Sequence, residues 1–153
     1  MGIEDPIIKS GNPVKQFSLM LENRIGAMHS IIKLLGDSNV LVLGLSVQDS
    51  FDVNVLRLVV SDPELTETLF MEKGIPFVVN EIVVVRLTEG VPSLASCLSA
   101  LSAAETHIHT SYPLFINQNG WPLIALIVED SDFAASALQK RGSECTPVRI
   151  RSL

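Results

Sequence analysis

Between Val14 and Leu21 apolar and polar side chains alternate, with Phe17, Leu19 and Leu21 on one side and Gln16, Ser18 and Met20 on the other. A period of two marks a strand with one buried face. The period then changes. Met28, Ile31, Ile32 and Leu35 recur at i, i+3, i+4 and i+7, which predicts a helix over about 26–37 with one apolar stripe; His29, Ser30 and Lys33 lie off it. Two more apolar runs, about 40–48 and 53–61, predict strands. Asp62-Pro63-Glu64 reads as a helix start: a capping carboxylate, a proline at the first helical position and an acid in the first turn. Leu65, Leu69 and Phe70 give this helix its predicted buried side, and Gly74 after Lys73 ends it. A short strand over about 76–80 closes the series.

The same order then returns. Strands are predicted over about 82–87, 107–115, 121–129 and 145–151. Helices are predicted over about 92–104, with Leu94, Cys97, Leu98 and Leu101 inward, and over 131–141, with Phe133, Ala134, Ala137 and Leu138 inward. The segment Leu21–Met28 overlies Leu87–Leu94 at an offset of 87 − 21 = 66, and Asp52–Asp62 overlies Gly120–Asp130 at 120 − 52 = 68. Two extra residues near Asn117–Asn119 account for the change. The expectation is a polar lead over residues 1–13, one βαββαβ unit over 14–80 and a second over 81–151. Two helices per four strands fit the α+β class, with two ferredoxin-like units whose antiparallel sheets carry helices on one face. The other face holds Val55, Arg57 and Val59 in the first unit and Leu123, Ala125 and Ile127 in the second. It is too apolar to stay in water, so it is expected to pack against a second copy of the chain, making a homo-oligomer, at least a dimer.

Composition narrows the chemistry. The chain has 153 residues and is 47% hydrophobic, enough for one domain or two small ones. Its apolar runs are far shorter than the roughly 20 residues of a membrane span. A net charge of −6 with no basic run argues against nucleic-acid partners. Two cysteines, Cys97 and Cys145, make no disulfide framework, and the N-terminus carries no signal-peptide pattern, so the expected compartment is the cytoplasm. No phosphate-binding glycine loop and no nucleophile–base pair is legible, so no enzymatic chemistry and no cofactor are expected. His107 and His109 share one side of a strand without a third metal ligand.

After the first strand stands Leu21-Glu22-Asn23-Arg24-Ile25-Gly26-Ala27-Met28, which resembles the turn that opens the first helix of ACT domains. Residues 39–49 and 55–62 resemble the second and third strands of that family. The second unit gives a weaker match, through Thr88-Glu89-Gly90-Val91-Pro92-Ser93-Leu94 and Thr110-Ser111-Tyr112. The likeness spans about residues 14–151 and is nearest to small stand-alone tandem ACT proteins, some named as acetolactate synthase regulatory subunits. It implies a non-catalytic regulator that binds a small amino acid where two ACT units meet and signals to an enzyme of amino-acid metabolism. By resemblance the ligand contacts are Asn23, Arg24, Ile25, Gly26, Ala27 and Met28 in the turn and Ser46, Val47 and Gln48 in the second strand. A second site would use Val91, Pro92, Ser93 and Leu94 with Ser111 and Tyr112, but Ser93 stands where the family signature has glycine.

The residues themselves suit such a ligand. Backbone N–H groups at a helix start receive a carboxylate. Gly26 permits close approach, Asn23 or Gln48 can accept from an ammonium, and Met28, Leu45 and Val47 can line an apolar pocket, which points to an aliphatic side chain. The plainer alternative is that Gly26 makes a tight turn and Asn23 bonds its own backbone. A regulatory subunit of acetolactate synthase and a ligand-free dimerisation module are the competing functions.

Overall fold

Alternation and capping place the elements. A computed structural model describes residues 7–8, 13–22, 26–50, 53–140 and 146–150. In chain order they are β1 (Ile7–Ile8), β2 (Val14–Glu22), α1 (Ala27–Asp37), β3 (Val42–Ser50), β4 (Val53–Val60), α2 (Pro63–Glu72), β5 (Val78–Arg86), α3 (Val91–Ala103), β6 (Ile108–Gln118), β7 (Trp121–Val128), α4 (Ser131–Gln139) and β8 (Thr146–Ile150). The chain divides into an N-terminal unit, Lys15–Asn80, and a C-terminal unit, Glu81–Arg151 together with Met1–Val14.

In the N-terminal unit β4 pairs antiparallel with both β2 and β3. Gln16 Nε2 of β2 donates to Asn80 Oδ1 at the start of β5, 3.4 Å away. Phe17 and Leu19 of β2 and Leu56, Leu58 and Val60 of β4 turn to the helices and bury against Ile31, Leu35 and Phe70. Phe17, Phe70 and Phe77 meet with ring centroids 5.7 to 5.8 Å apart, the edge and tilted geometry that aromatic quadrupoles favour.

In the C-terminal unit the strand order is β1-β8-β5-β7-β6, every pair antiparallel. Val83, Val85, Leu126 and Val128 face Cys97, Leu101, Ala134 and Leu138 from α3 and α4. Strand β1 lies inside the segment expected to be a polar lead and pairs Ile7 with Ile150.

The repeat extends to single hydrogen bonds. Asp62 Oδ1 accepts from Leu65 N at 3.1 Å, and Asp130 Oδ1, 68 positions on, accepts from Phe133 N at 3.0 Å. The offset change is also local. Strand β6 has 11 residues against 9 in β3 and closes on Asn119-Gly120, both at positive φ, as a two-residue hairpin turn requires.

Several expectations need correction. The strands predicted at 76–80 and 82–87 are one strand, β5, because nothing in Asn80-Glu81 forces a positive φ or removes a donor. Leu65, Leu98 and Phe133 are exposed rather than inward. In α2 the core-facing pair is Thr66 and Phe70, and Thr66 tolerates burial because its Oγ1 donates to Asp62 O at 2.8 Å. On the strand faces expected to be apolar, Val59, Leu123, Ala125 and Ile127 are buried, and Val55 and Arg57 are half-buried.

Candidate functional site

Helix α1 begins on Gly26, whose φ of 91° and ψ of −8° lie in the left-handed region that L side chains rarely adopt. This residue reverses the chain from β2 into α1, and its carbonyl accepts from both the N–H and the hydroxyl of Ser30, at 2.9 and 3.1 Å. Among the described residues no side chain caps α1, and no acid occupies its first turn. The contrast with α2 and α4 is direct. There Asp62 and Asp130 cap the helix and Glu64 and Asp132 add negative charge. Among the described residues, the first turn of α1 thus lacks the acid and the capping carboxylate that α2 and α4 have, which suits an anion.

A cleft of about 230 Å³ opens at this point, inside the N-terminal unit. Gly26, Ala27 and Met28 form its helical wall, Leu21 and Glu22 come from β2, Val47 from β3, and Asn54 and Leu56 from β4. Sheet register explains the grouping. Val47 stands opposite Leu56, and Leu21 opposite Asn54, on the helix-facing side where the sheet runs past the end of the core. Met28 is 42% exposed and Val47 49% exposed, so two large apolar side chains remain in water at the mouth. An amino acid could present its carboxylate to the helix start and its side chain to these surfaces.

The residues singled out from sequence divide accordingly. Gly26, Ala27, Met28 and Val47 are brought together in the cleft. Asn23, Arg24 and Ile25 lie outside the described residues. Ser46 and Gln48 sit on the opposite sheet face, where Ser46 is paired in register with Arg57 and Gln48 Oε1 accepts from Arg57 Nη1 at 3.0 Å. Gln48 is thus already engaged, and pleating turns it away from the helix start. Leu45 packs against the core rather than lining the cleft. Sequence reasoning missed Leu21, Glu22, Asn54 and Leu56. The signal for Asn54 was present: it is the polar member of the inward row 54, 56, 58, 60 of β4.

The second turn is built differently. Gly90 precedes α3 at φ 72° and ψ −143°. Pro92 removes one first-turn donor. Ser93 N donates to Gly90 O at 3.0 Å, and the buried Ser93 Oγ accepts from Glu89 N at 2.9 Å. The donors that α1 leaves open are here missing or used. Val91 is exposed, Leu94 packs on the core, Ser111 is exposed and Tyr112 is buried, so these residues form no common surface.

A larger hollow of about 540 Å³ in the C-terminal unit is walled by Glu105, Glu129, Asp130 and His107. Three carboxylates there disfavour an incoming carboxylate. His107 and His109 stack edge to face, 4.9 Å between centroids, and among the described residues no three metal-ligating side chains converge. No helix among them is long and apolar enough to cross a membrane.

Two α+β units of one element order in a single chain define a tandem-domain protein. The chain belongs to the ACT domain pair family, whose model matches residues 12–136. Among solved structures it is similar to the protein BT0572 from Bacteroides thetaiotaomicron, with TM-score 0.78 and 21% identity over 88% of this chain and 92% of that one. It is also similar to the regulatory subunit of aspartate kinase from Thermus thermophilus in its ligand-free form, with TM-score 0.61 and 13% identity over 86% and 92%. A third likeness is to the aspartate kinase regulatory subunit of Thermus flavus, with TM-score 0.51 and 15% identity over 86% and 94%. At these identities the likeness is one of fold. No curated protein sequence matches the chain.

Proposed function

We propose that this protein is a non-catalytic regulator that binds a small aliphatic amino acid at the start of α1 and passes the signal to an enzyme of amino-acid metabolism. One observation carries the reading: a helix start with no acid in its first turn opens onto a cleft inside the N-terminal unit, walled mostly by apolar residues together with Glu22 and Asn54. The carboxylate would meet the N–H groups of Ala27 and Met28, and the side chain would lie against Leu21, Met28, Val47 and Leu56. Membership of the ACT domain pair family supports a regulatory role, and a neighbour described as a regulatory subunit of aspartate kinase accords with it. The ferredoxin-like description of both units is part of this reading, supported by the β8-β5-β7-β6 order of the C-terminal one. So is a cytoplasmic homo-oligomer, at least a dimer, in which exposed Met20 on the face opposite the helices finds cover. The target enzyme could be acetolactate synthase, in which case the chain would co-purify with a large catalytic subunit.

The N-terminal unit holds the working site in this reading, and the C-terminal unit, whose turn is blocked by Pro92 and Ser93, serves as its structural companion. The test is a thermal-shift screen of the twenty amino acids at millimolar concentration. A ligand in hundredfold excess over its Kd stabilises by about 2.7 kcal/mol, so an aliphatic amino acid should raise the midpoint by several degrees. A flat response to all twenty would leave a ligand-free structural module as the better description.

A further inference from the structure

An amino acid that gives its carboxylate to a helix start still carries an ammonium group, and a buried ammonium without acceptors costs several kcal/mol. The cleft must therefore supply an acceptor if it takes amino acids. Gln48 does not serve, because its carbonyl oxygen holds Arg57 on the other face of the sheet. Among the described lining residues Leu21, Gly26, Ala27, Met28, Val47 and Leu56 bring no polar side chain, and Glu22 and Asn54 are the polar ones. Glu22 is exposed and already interacts with another group.

Asn54 differs on each count. It stands in β4 directly opposite Leu21, on the row that turns to the helices, followed inward by Leu56, Leu58 and Val60. Every other member of that row is core. The Asn54 side chain is half-buried and makes no hydrogen bond to any described residue. Strand register places this amide at the cleft, where its carbonyl oxygen can turn to accept from a ligand. At the offset of 68 its counterpart is Pro122, which offers no side-chain acceptor. Strand β7 of the C-terminal unit thus has no amide at the position equivalent to Asn54. Asp49, the cross-strand partner of Asn54, is exposed and does not line the cleft.

We propose that Asn54 is the residue that recognises the α-ammonium group of the ligand, so that the cleft distinguishes an amino acid from the corresponding plain carboxylic acid. This rests on the reading of the cleft as an amino-acid site.

The experiment compares two pairs of probes by isothermal titration calorimetry: L-valine against 3-methylbutanoate, and L-leucine against 4-methylpentanoate. Each pair shares its carboxylate and side-chain skeleton and differs at the amine. Wild-type protein should prefer the amino acid of at least one pair by about 10- to 100-fold, the range expected of a hydrogen bond to a charged group. Asn54→Leu should lose that preference while binding the carboxylic acid as before, since Leu retains the volume and the apolar walls. Asn54→Asp keeps the acceptor and should keep or widen the preference, which separates loss of recognition from loss of fold. If Asn54→Leu binds the carboxylic acid normally and still prefers the amino acid as strongly as wild type, the role of Asn54 is refuted while the site stands. If Glu22→Gln abolishes the preference and Asn54→Leu does not, Glu22 takes the role and the proposal is overturned. If wild type binds neither pair, the cleft as an aliphatic amino-acid site falls and the role of Asn54 falls with it.

Discussion

Two glycines at opposite ends of α1 allow one substitution to be read with opposite signs. Gly26 holds φ at +91°, while Gly36 lies in the last turn at no positive φ, and a Cβ built on either meets no atom within 4 Å. Among the described residues neither Gly26→Ala nor Gly36→Ala meets a clash, so the prediction rests on backbone conformation. Alanine in the left-handed region costs about 1–2 kcal/mol, and the smaller conformational freedom of its unfolded chain returns about 0.4–1 kcal/mol. Gly26→Ala should therefore destabilise by about 1 kcal/mol. Gly36→Ala has no left-handed cost and should stabilise by about 0.5–1 kcal/mol. In thermal unfolding followed by circular dichroism, the two variants should bracket wild type, each shifted by about 2–4 °C for every kcal/mol. The ligand response separates them again: Gly26→Ala adds a methyl beside the open N–H groups and should weaken amino-acid binding, and Gly36→Ala should leave it unchanged. Equal shifts of the same sign, or normal binding by Gly26→Ala, would refute the reasoning.

Other expectations follow from the same contacts. Asp62→Ala and Asp130→Ala each remove one helix cap and should each cost about 1 kcal/mol in urea unfolding, additively, because the two caps belong to separate units. Ser93→Gly restores the family's glycine but orphans the Glu89 N–H, so it should destabilise by about 1–3 kcal/mol and create no second binding event in calorimetry, Pro92 still being in place. Leu58→Ala, at a fully buried position that does not itself line the cleft, should cost about 2–5 kcal/mol and lower the unfolding midpoint, with a smaller effect on ligand affinity than Leu56→Ala.

Much of the fold is legible in the chain because period and capping are local signals. The alternation in β2, the stripe Ile31, Ile32 and Leu35, and the aspartate-capped starts of α2 and α4 need no tertiary knowledge. The misplacements have tertiary causes. Leu65, Leu98 and Phe133 fit an apolar stripe by spacing, but the width of the sheet beneath each helix sets how far round the helix burial extends. Met28 also fits the stripe of α1, yet it sits at the helix end beyond the core, and that position leaves it exposed at the cleft. At the site, Gly26 stood out through the family resemblance of Leu21–Met28 and the close approach that glycine permits. Gln48 misled because residue type was read without face: one step along a strand from Val47 reverses the side chain. Asn54 required knowing that β4 lies beneath the start of α1, a long-range fact carried by strand register.

The central claim is that an amino acid binds at the start of α1 in the N-terminal unit. The most direct test is a titration of ¹⁵N-labelled protein with L-valine and L-leucine, followed by amide chemical shifts. The account predicts saturable shifts concentrated at Gly26, Ala27, Met28, Val47, Asn54 and Leu56, with Val91, Ser93 and the surroundings of His107 unmoved. Saturable shifts centred on α3 or on the hollow around His107 and Asp130, or no shifts at millimolar ligand, would contradict it.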